Sequence, residues 1–338
     1  MTDKSETFDY LNNKTVLVTG GGGSIGGELV KQLAALAVKR LIIFDIYENN
    51  AYFIAEEVGR AFPALKLHVL IGSVRDRARV FEIFERYRPD VVFHAAAHKH
   101  VPLMEASPAE AVKNNVFGTL NVAEAADMTG CERFVLISTD KAVAPTSVMG
   151  ATKRLCEKVI FGINTKSSTA FACVRFGNVA ASAGSVIPLF KRQISAGGPV
   201  TVTHPEVNRF FMSVSEAVSL VLTAGETASG GEIFVLDMGE CVNIDSLARR
   251  MIEDAGLIPD VDIKIVYTGL RDGEKLNETD MLDDPELTPT QYSRIYVKVS
   301  SDGDFYPVEK LAHLRKIINT GECDVRGALR ELVCDYEY

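Results

Sequence analysis

The sequence has no C-x-x-C pair and no cysteine with a histidine at metal-ligand spacing; its six cysteines lie scattered at positions 131, 156, 173, 241, 323 and 334. That pattern excludes a disulfide framework, calls for no metal, and fits reduced, mostly buried thiols in the cytoplasm. No run of eighteen or more apolar residues occurs, so no integral membrane segment is expected. The opening MTDKSETFDYLNNK carries no apolar h-region, so no secretion signal is expected either. Basic charge is short as well, with 36 Lys and Arg against 45 Asp and Glu for a net charge of -9. Such a balance argues against a general nucleic-acid partner, although a local basic pocket for a diphosphate can exist on an acidic protein. Internal repeats and low-complexity tracts are also missing. What is present is 338 residues at 47% hydrophobic, enough to bury the core of one large α/β domain with a smaller lobe.

From Lys14 to about Phe176, short β-branched runs alternate with longer amphipathic stretches. The runs are KTVLVT, RLIIFD, LKLHVLIG, DVVFHAA, RFVLIS and TAFACVRF; the stretches between them, such as SIGGELVKQLAALA and PAEAVKNNVFGTLNVAEAADMTG, have helical spacing. This is the pattern of an α/β protein with a doubly wound, Rossmann-type parallel sheet. Residues 14–176 are therefore expected to form the dinucleotide-binding domain, with 208–228 returning to it. Residues 177–338 are expected to supply mostly a smaller C-terminal substrate lobe, interleaved with the sheet.

Gly20, Gly23 and Gly26 follow the first strand directly and open the first helix. Side-chain-free positions allow the tight turn, the approach of a pyrophosphate and the helix-to-strand contact, while the helix N-terminus offers N–H groups to the anion. The strand-turn-helix setting separates this motif from a merely flexible glycine-rich turn. Asp45 ends the second strand nineteen residues after Gly26. There a carboxylate would accept from the adenosine ribose hydroxyls and repel a 2'-phosphate, which favours NAD over NADP; the alternative is a solvent-facing strand end.

The segment from Ile137 to Arg154, ISTDKAVAPTSVMGATKR, resembles the extended short-chain dehydrogenase/reductases, and among them the nucleotide-sugar 4,6-dehydratases of bacterial polysaccharide biosynthesis. Four further stretches share the resemblance: HAAAHKHVPLMEASPAEAVKNNVFGT, VRFGNVAASAGSVIPLF, VNRFFMSVSEAV and GLRDGEKLNE. It implies NAD contacts at Gly20, Gly23, Ser24, Ile25, Gly26, Asp45, Ser73, Val74, Ala95 and Lys153. Ser73 departs from the aspartate that many relatives carry there.

The resemblance implies a particular chemistry. Oxidation at C4 of a sugar acidifies the C5 hydrogen, a base removes that proton, an acid protonates the departing C6 hydroxyl, and hydride returns to C6. Lys141 would be the C5 base, Asp140 the C6 acid, and Thr139 a positioning or relay group at the C4 hydroxyl. For these duties Lys141 would need a lowered pKa and Asp140 a raised one. Where the superfamily has Tyr-x-x-x-Lys this chain has Met149-x-x-x-Lys153, and a thioether cannot usefully accept the hydroxyl proton. The same replacement is familiar from a branch acting on UDP-N-acetylglucosamine.

On the substrate side the resemblance points to Asn178, Arg209, Arg271 and Glu274. Two guanidinium groups suit a diphosphate, although surface ion pairs are the plain alternative for the arginines. Lys99 and His100 would reach the sugar, whereas His94 and His98 read equally well as structural histidines. The leading expectation is a UDP-N-acetylglucosamine 4,6-dehydratase acting as a homo-oligomer. The alternatives are the same reaction on GDP-N-acetylglucosamine, C4 epimerisation, which needs no Asp140–Lys141 pair, and an NAD-binding sensor or scaffold without activity.

Overall fold

The fold is given by a computed structural model that describes residues 8–180, 182, 184–299, 311–320 and 324–337. Cys323 and the first seven residues lie outside the described residues. All six apolar runs are strands: β1 (Thr15–Thr19), β2 (Arg40–Asp45), β3 (Leu67–Ile71), β4 (Val91–His94), β5 (Arg133–Ile137) and β6 (Ala170–Arg175). After them come β7 (Asn178–Ala180), β8 (Val200–Val202), β9 (Asn208–Ser213), β10 (Glu232–Leu236), β11 (Cys241–Asn243), β12 (Ile265–Tyr267), β13 (Thr288–Pro289) and β14 (Ile295–Val299).

The large sheet runs β13-β14-β10-β6-β5-β4-β1-β2-β3. Its strands from β3 to β10 pair in parallel, while β14 is antiparallel to β10 and β13 to β14. Every residue of β1 and β4 is buried, because helices cover both faces; this is why those strands read as unbroken apolar runs instead of alternating ones. Phe93 and Phe134 are fully enclosed, and burial of each side chain contributes about 1.5–3 kcal/mol.

The C-terminal half gives more of itself to this sheet than the sequence pattern indicates. The run GGEIFVLDM supplies β10, which pairs with β6 through Ile233 and Cys173, and β14 adds outside it. Helices Leu311–Thr320 and Val325–Leu332 also bury Leu314, Ile318 and Leu329 in the main core. The separate lobe is therefore smaller than 177–338. Its own core gathers Phe190, Val200, Val207, Ile244, Ile252 and Ile265 from helices Val186–Ser195 and Ile244–Asp254 and from the β8–β12 pair.

The helix Val214–Thr227 starts at an N-cap, with Ser213 Oγ accepting from Glu216 N at 3.1 Å, and lies against Ser24–Ala34, where Gln32 Nε2 donates to Ser215 O at 2.9 Å. Strand order reverses between β1 and β4, so a crevice opens beyond their carboxyl ends.

Candidate active site

Three adjoining cavities fill that crevice. The first, about 240 Å³, is lined by Gly20, Gly23, Asp45, Ser73, Val74 and Ala95, together with Ile46, Tyr47, Asn50 and Asn114. Its floor is backbone. Gly20 has φ +68°, and a Cβ there would lie 2.7 Å from Ala96 N, while a Cβ on Gly26 would collide with the Gly20 carbonyl oxygen. The turn therefore brings β1, the helix Ser24–Ala34 and the loop after β4 into contact and sets the positive end of that helix at the cleft, where an anion is favoured. Asp45 accepts from Gly22 N and Tyr47 N, both at 2.8 Å, which fixes its carboxylate at the cavity wall. The glycine cradle and this carboxylate fit a dinucleotide's pyrophosphate and ribose. Ser24 is the first residue of the helix, and Ile25 lines the next cavity.

The second cavity, about 280 Å³, brings together Thr139, Lys141, Met149, Lys153 and Asn178 with Lys99 and His100. Ser147 caps the helix Val148–Asn164, accepting from Gly150 N at 3.1 Å, so Met149 and Lys153 sit one turn apart on its first face. Gly150 is required at this point, since a Cβ would strike the Lys141 carbonyl oxygen. Its absence lets the helix rest directly on the turn Asp140–Ala142. Lys153 Nζ donates to Ile137 O at 2.5 Å.

One expectation is corrected here, and one residue is placed away from the central cavity. Lys141 does not have a lowered pKa. Burial works in that direction, but the carboxylates of Asp140 and Glu278, at 3.1 and 3.0 Å from Nζ, outweigh it and hold the ammonium above its ordinary value. Asp140 does not face the central cavity. It is 2% exposed and turns behind the strand end, with Oδ1 accepting from Thr139 Oγ1 at 2.8 Å and from Lys141 Nζ. Asp140 Oδ2 is buried without a hydrogen-bond partner among the described residues and looks into a small cavity beside Gly177 and Met238.

The third cavity, about 200 Å³, holds Lys99, Asn178, Arg209, Arg271 and Glu274, and shares Lys141 with the second. Arg209 is a brace as it stands: Nη1 donates to the Asn208 and Leu276 carbonyls, Nη2 to Lys275 O and Glu274 Oε1, and Nε meets Glu278 at 3.3 Å. Arg271 is exposed and touches Glu274 through Nε at 3.2 Å. Lys99 donates to Ser182 Oγ at 3.4 Å, and burial lowers its pKa. His94 lies in the core between the Thr19 and Thr119 hydroxyls, its pKa pushed down to about 3 by burial and by Lys153, so it stays neutral.

Sequence reasoning missed Glu278, the last residue of GLRDGEKLNE. Its signal was an acidic residue closing a motif; the distant lysine it meets gave none. Also missed was the π-helix Val112–Val116, where Asn115 Oδ1 accepts from His98 N at 2.7 Å and Nδ2 donates to Thr152 Oγ1 at 3.0 Å. That knot ties the loop after β4 to the helix Val148–Asn164.

Residues 16–300 match the family model described as polysaccharide biosynthesis protein. This chain belongs to that family. Within it, and with an extended short-chain dehydrogenase/reductase fold, the chain is 49% identical to EpsC of Bacillus subtilis, a probable polysaccharide biosynthesis protein, over 97% of its own length and 54% of EpsC's. It thus spans about half of that relative. It is 37% identical to a UDP-glucose 4-epimerase of Rickettsia massiliae, covering 86% of this chain and 84% of the epimerase. With the inverting UDP-N-acetylglucosamine 4,6-dehydratase of Campylobacter jejuni it shares 34% identity, over 87% of each. Among solved structures, Pen from Bacillus thuringiensis superposes with a TM-score of 0.78 at 35% identity, covering 86% of this chain and 88% of Pen. Among the described residues, no helix is long and apolar enough to cross a membrane.

Proposed function

We propose that this chain catalyses NAD-dependent 4,6-dehydration of UDP-N-acetylglucosamine to a UDP-4-keto-6-deoxy-N-acetylhexosamine, for bacterial glycan or nonulosonic-acid biosynthesis. The observation that carries this reading is the position of Lys141. It opens onto the cavity of Thr139, Met149 and Lys153 on one side and onto that of Arg271 and Glu274 on the other. A sugar at that junction would have its ring at Lys141 and its diphosphate toward Arg271.

Bound NAD supplies the hydride acceptor for C4 and the donor for C6. Lys153 holds the nicotinamide ribose and adds positive charge beside the C4 hydroxyl. Thr139 takes the hydroxyl proton and passes it to Asp140, 2.8 Å away, which replaces the path a tyrosine would offer and explains why Met149 is tolerated. Lys141, once neutral, removes the C5 proton and later returns it. The proton that Asp140 received from C4 returns through the Thr139 hydroxyl, which lines the central cavity, and leaves with the C6 hydroxyl as water, so protons balance. Asp45 favours NAD over NADP, because its fixed carboxylate would repel a 2'-phosphate. The chain is read as a cytoplasmic homo-oligomer.

A second reading, C4 epimerisation, draws support from the Rickettsia relative's name and needs hydride removed from C4 and returned there on the opposite face, with no proton taken from C5. Incubation with UDP-N-acetylglucosamine, GDP-N-acetylglucosamine and UDP-glucose separates the two by mass spectrometry. Loss of one water from the UDP-N-acetyl sugar is expected. Unchanged mass with a new C4 epimer would replace the proposal, and a product from the GDP sugar alone would correct the base.

A further inference from the structure

We infer that Glu278 is the proton acceptor that converts Lys141 from an ammonium into a base, a positioning residue for the elimination step. Three observations carry this. The Glu278 side chain is 3% exposed and Oε1 lies 3.0 Å from Lys141 Nζ. Its other charged contact is Arg209 Nε at 3.3 Å, while Lys141 also meets Asp140 Oδ1 at 3.1 Å and donates to Asn178 Oδ1 at 3.2 Å. Asp140 is already engaged by the Thr139 hydroxyl, so of the two carboxylates on Lys141 it is Glu278 that has no part in the hydroxyl relay.

In the open cleft the Lys141 side chain is 23% exposed, so water reaches the ammonium and the ionic form stands. A sugar nucleotide filling the two cavities expels that water, and a drier surrounding penalises two charges more than a neutral amine and carboxylic acid. The Nζ–H bond then breaks, an O–H bond forms on Oε1, and the amine lone pair is free for the C5 proton. After C5 is reprotonated by Lys141, Glu278 returns the borrowed proton. Nothing is oxidised or reduced in this exchange.

The kinetic part of the inference rests on the dehydratase reading, so the test has an arm that does not. Competitive acetylation of the Lys141 amine with acetic anhydride, followed by peptide mass mapping across pH, reads its protonation in the free protein. Glu278→Gln should move the midpoint to lower pH by about one unit or more, because a carboxylate is lost, and Glu278→Asp should restore it. An unmoved midpoint in Glu278→Gln overturns the inference even if no sugar nucleotide is turned over. In the second arm, kcat for water loss in Glu278→Gln should fall on the order of 10²-fold at neutral pH and recover as pH rises, since the proton must then leave to solvent. Glu278→Asp should keep a flat profile. Wild-type kcat in Glu278→Gln, or an equal loss at every pH, would assign the residue a structural role instead.

Discussion

The two ends of the cleft are built in opposite ways. At the dinucleotide end the work is done by main chain: Gly20 and Gly26 allow β1, the first helix and the loop after β4 to touch, and Asp45 is fixed by two backbone N–H groups. At the end proposed for the sugar, the lining is charged side chains from distant segments. Asp140, Lys141, Arg209, Glu274 and Glu278 form one chain of ion pairs from β5 to the loop after β12. A backbone cradle suits a common cofactor without tuning, whereas on the proposed reading the charge chain sets which lysine carries a proton and therefore which reaction follows.

Substitutions at each end should fail differently. The largest effect is expected for Lys141→Ala, a loss on the order of 10³-fold in water elimination with bound cofactor retained. Single-turnover absorbance of NADH beside product analysis reads both. Equal turnover by the variant would remove Lys141 from the chemistry. Gly20→Ala should do the reverse, damaging the cofactor end first: a Cβ at positive φ against Ala96 costs about 2–3 kcal/mol, or about 10²-fold in NAD affinity by titration. Lys153→Ala touches both ends and should lose most of its rate.

Beneath both ends lies a support that belongs to neither. Glu157 is fully buried, accepting from Arg175 Nε and Nη2 at 2.9 and 2.6 Å and from Ser138 Oγ at 2.5 Å. Burial alone would raise its pKa, but Arg175, Arg154 and Ser138 reverse this and hold it below the ordinary 4.5. A depressed carboxylate stabilises the fold above its unfolded pKa and loses that contribution as pH falls through the folded value, so the effect belongs to acid conditions below about pH 4.5. Glu157→Ala should cost about 3–5 kcal/mol by denaturant titration at neutral pH, and should weaken the acid sensitivity of the melting temperature. The smallest change is expected for Met149→Leu, which keeps volume and removes no proton carrier; it should cost less than about 1.5 kcal/mol and leave most of the rate. A rate as low as that of Lys153→Ala would give the thioether a role.

The same contrast explains what was legible in the sequence. The six runs became strands because buried parallel strands must be apolar throughout, and the glycine motif could be read because its mechanics are local. Asp140 and Lys141 were placed at the right strand end, yet their surroundings were not foreseen. The pKa of Lys141 depends on Glu278, 137 residues away, and spacing carries no record of such a neighbour. The place of β10 and β14 was hidden for a related reason: an apolar run does not record its neighbours, and here β10 pairs with β6 on one side and with β14 on the other.

The central claim is that the charged end eliminates water from the sugar after oxidation at C4. Running the wild-type protein with UDP-N-acetylglucosamine in heavy water tests this most directly. The account predicts a product lighter by one water that carries solvent deuterium at C5, because the Lys141 amine equilibrates with heavy water before the sugar binds and returns one of its deuterons. A product of unchanged mass without deuterium at C5 would contradict it, leaving hydride transfer at C4 alone as the chemistry of this cleft.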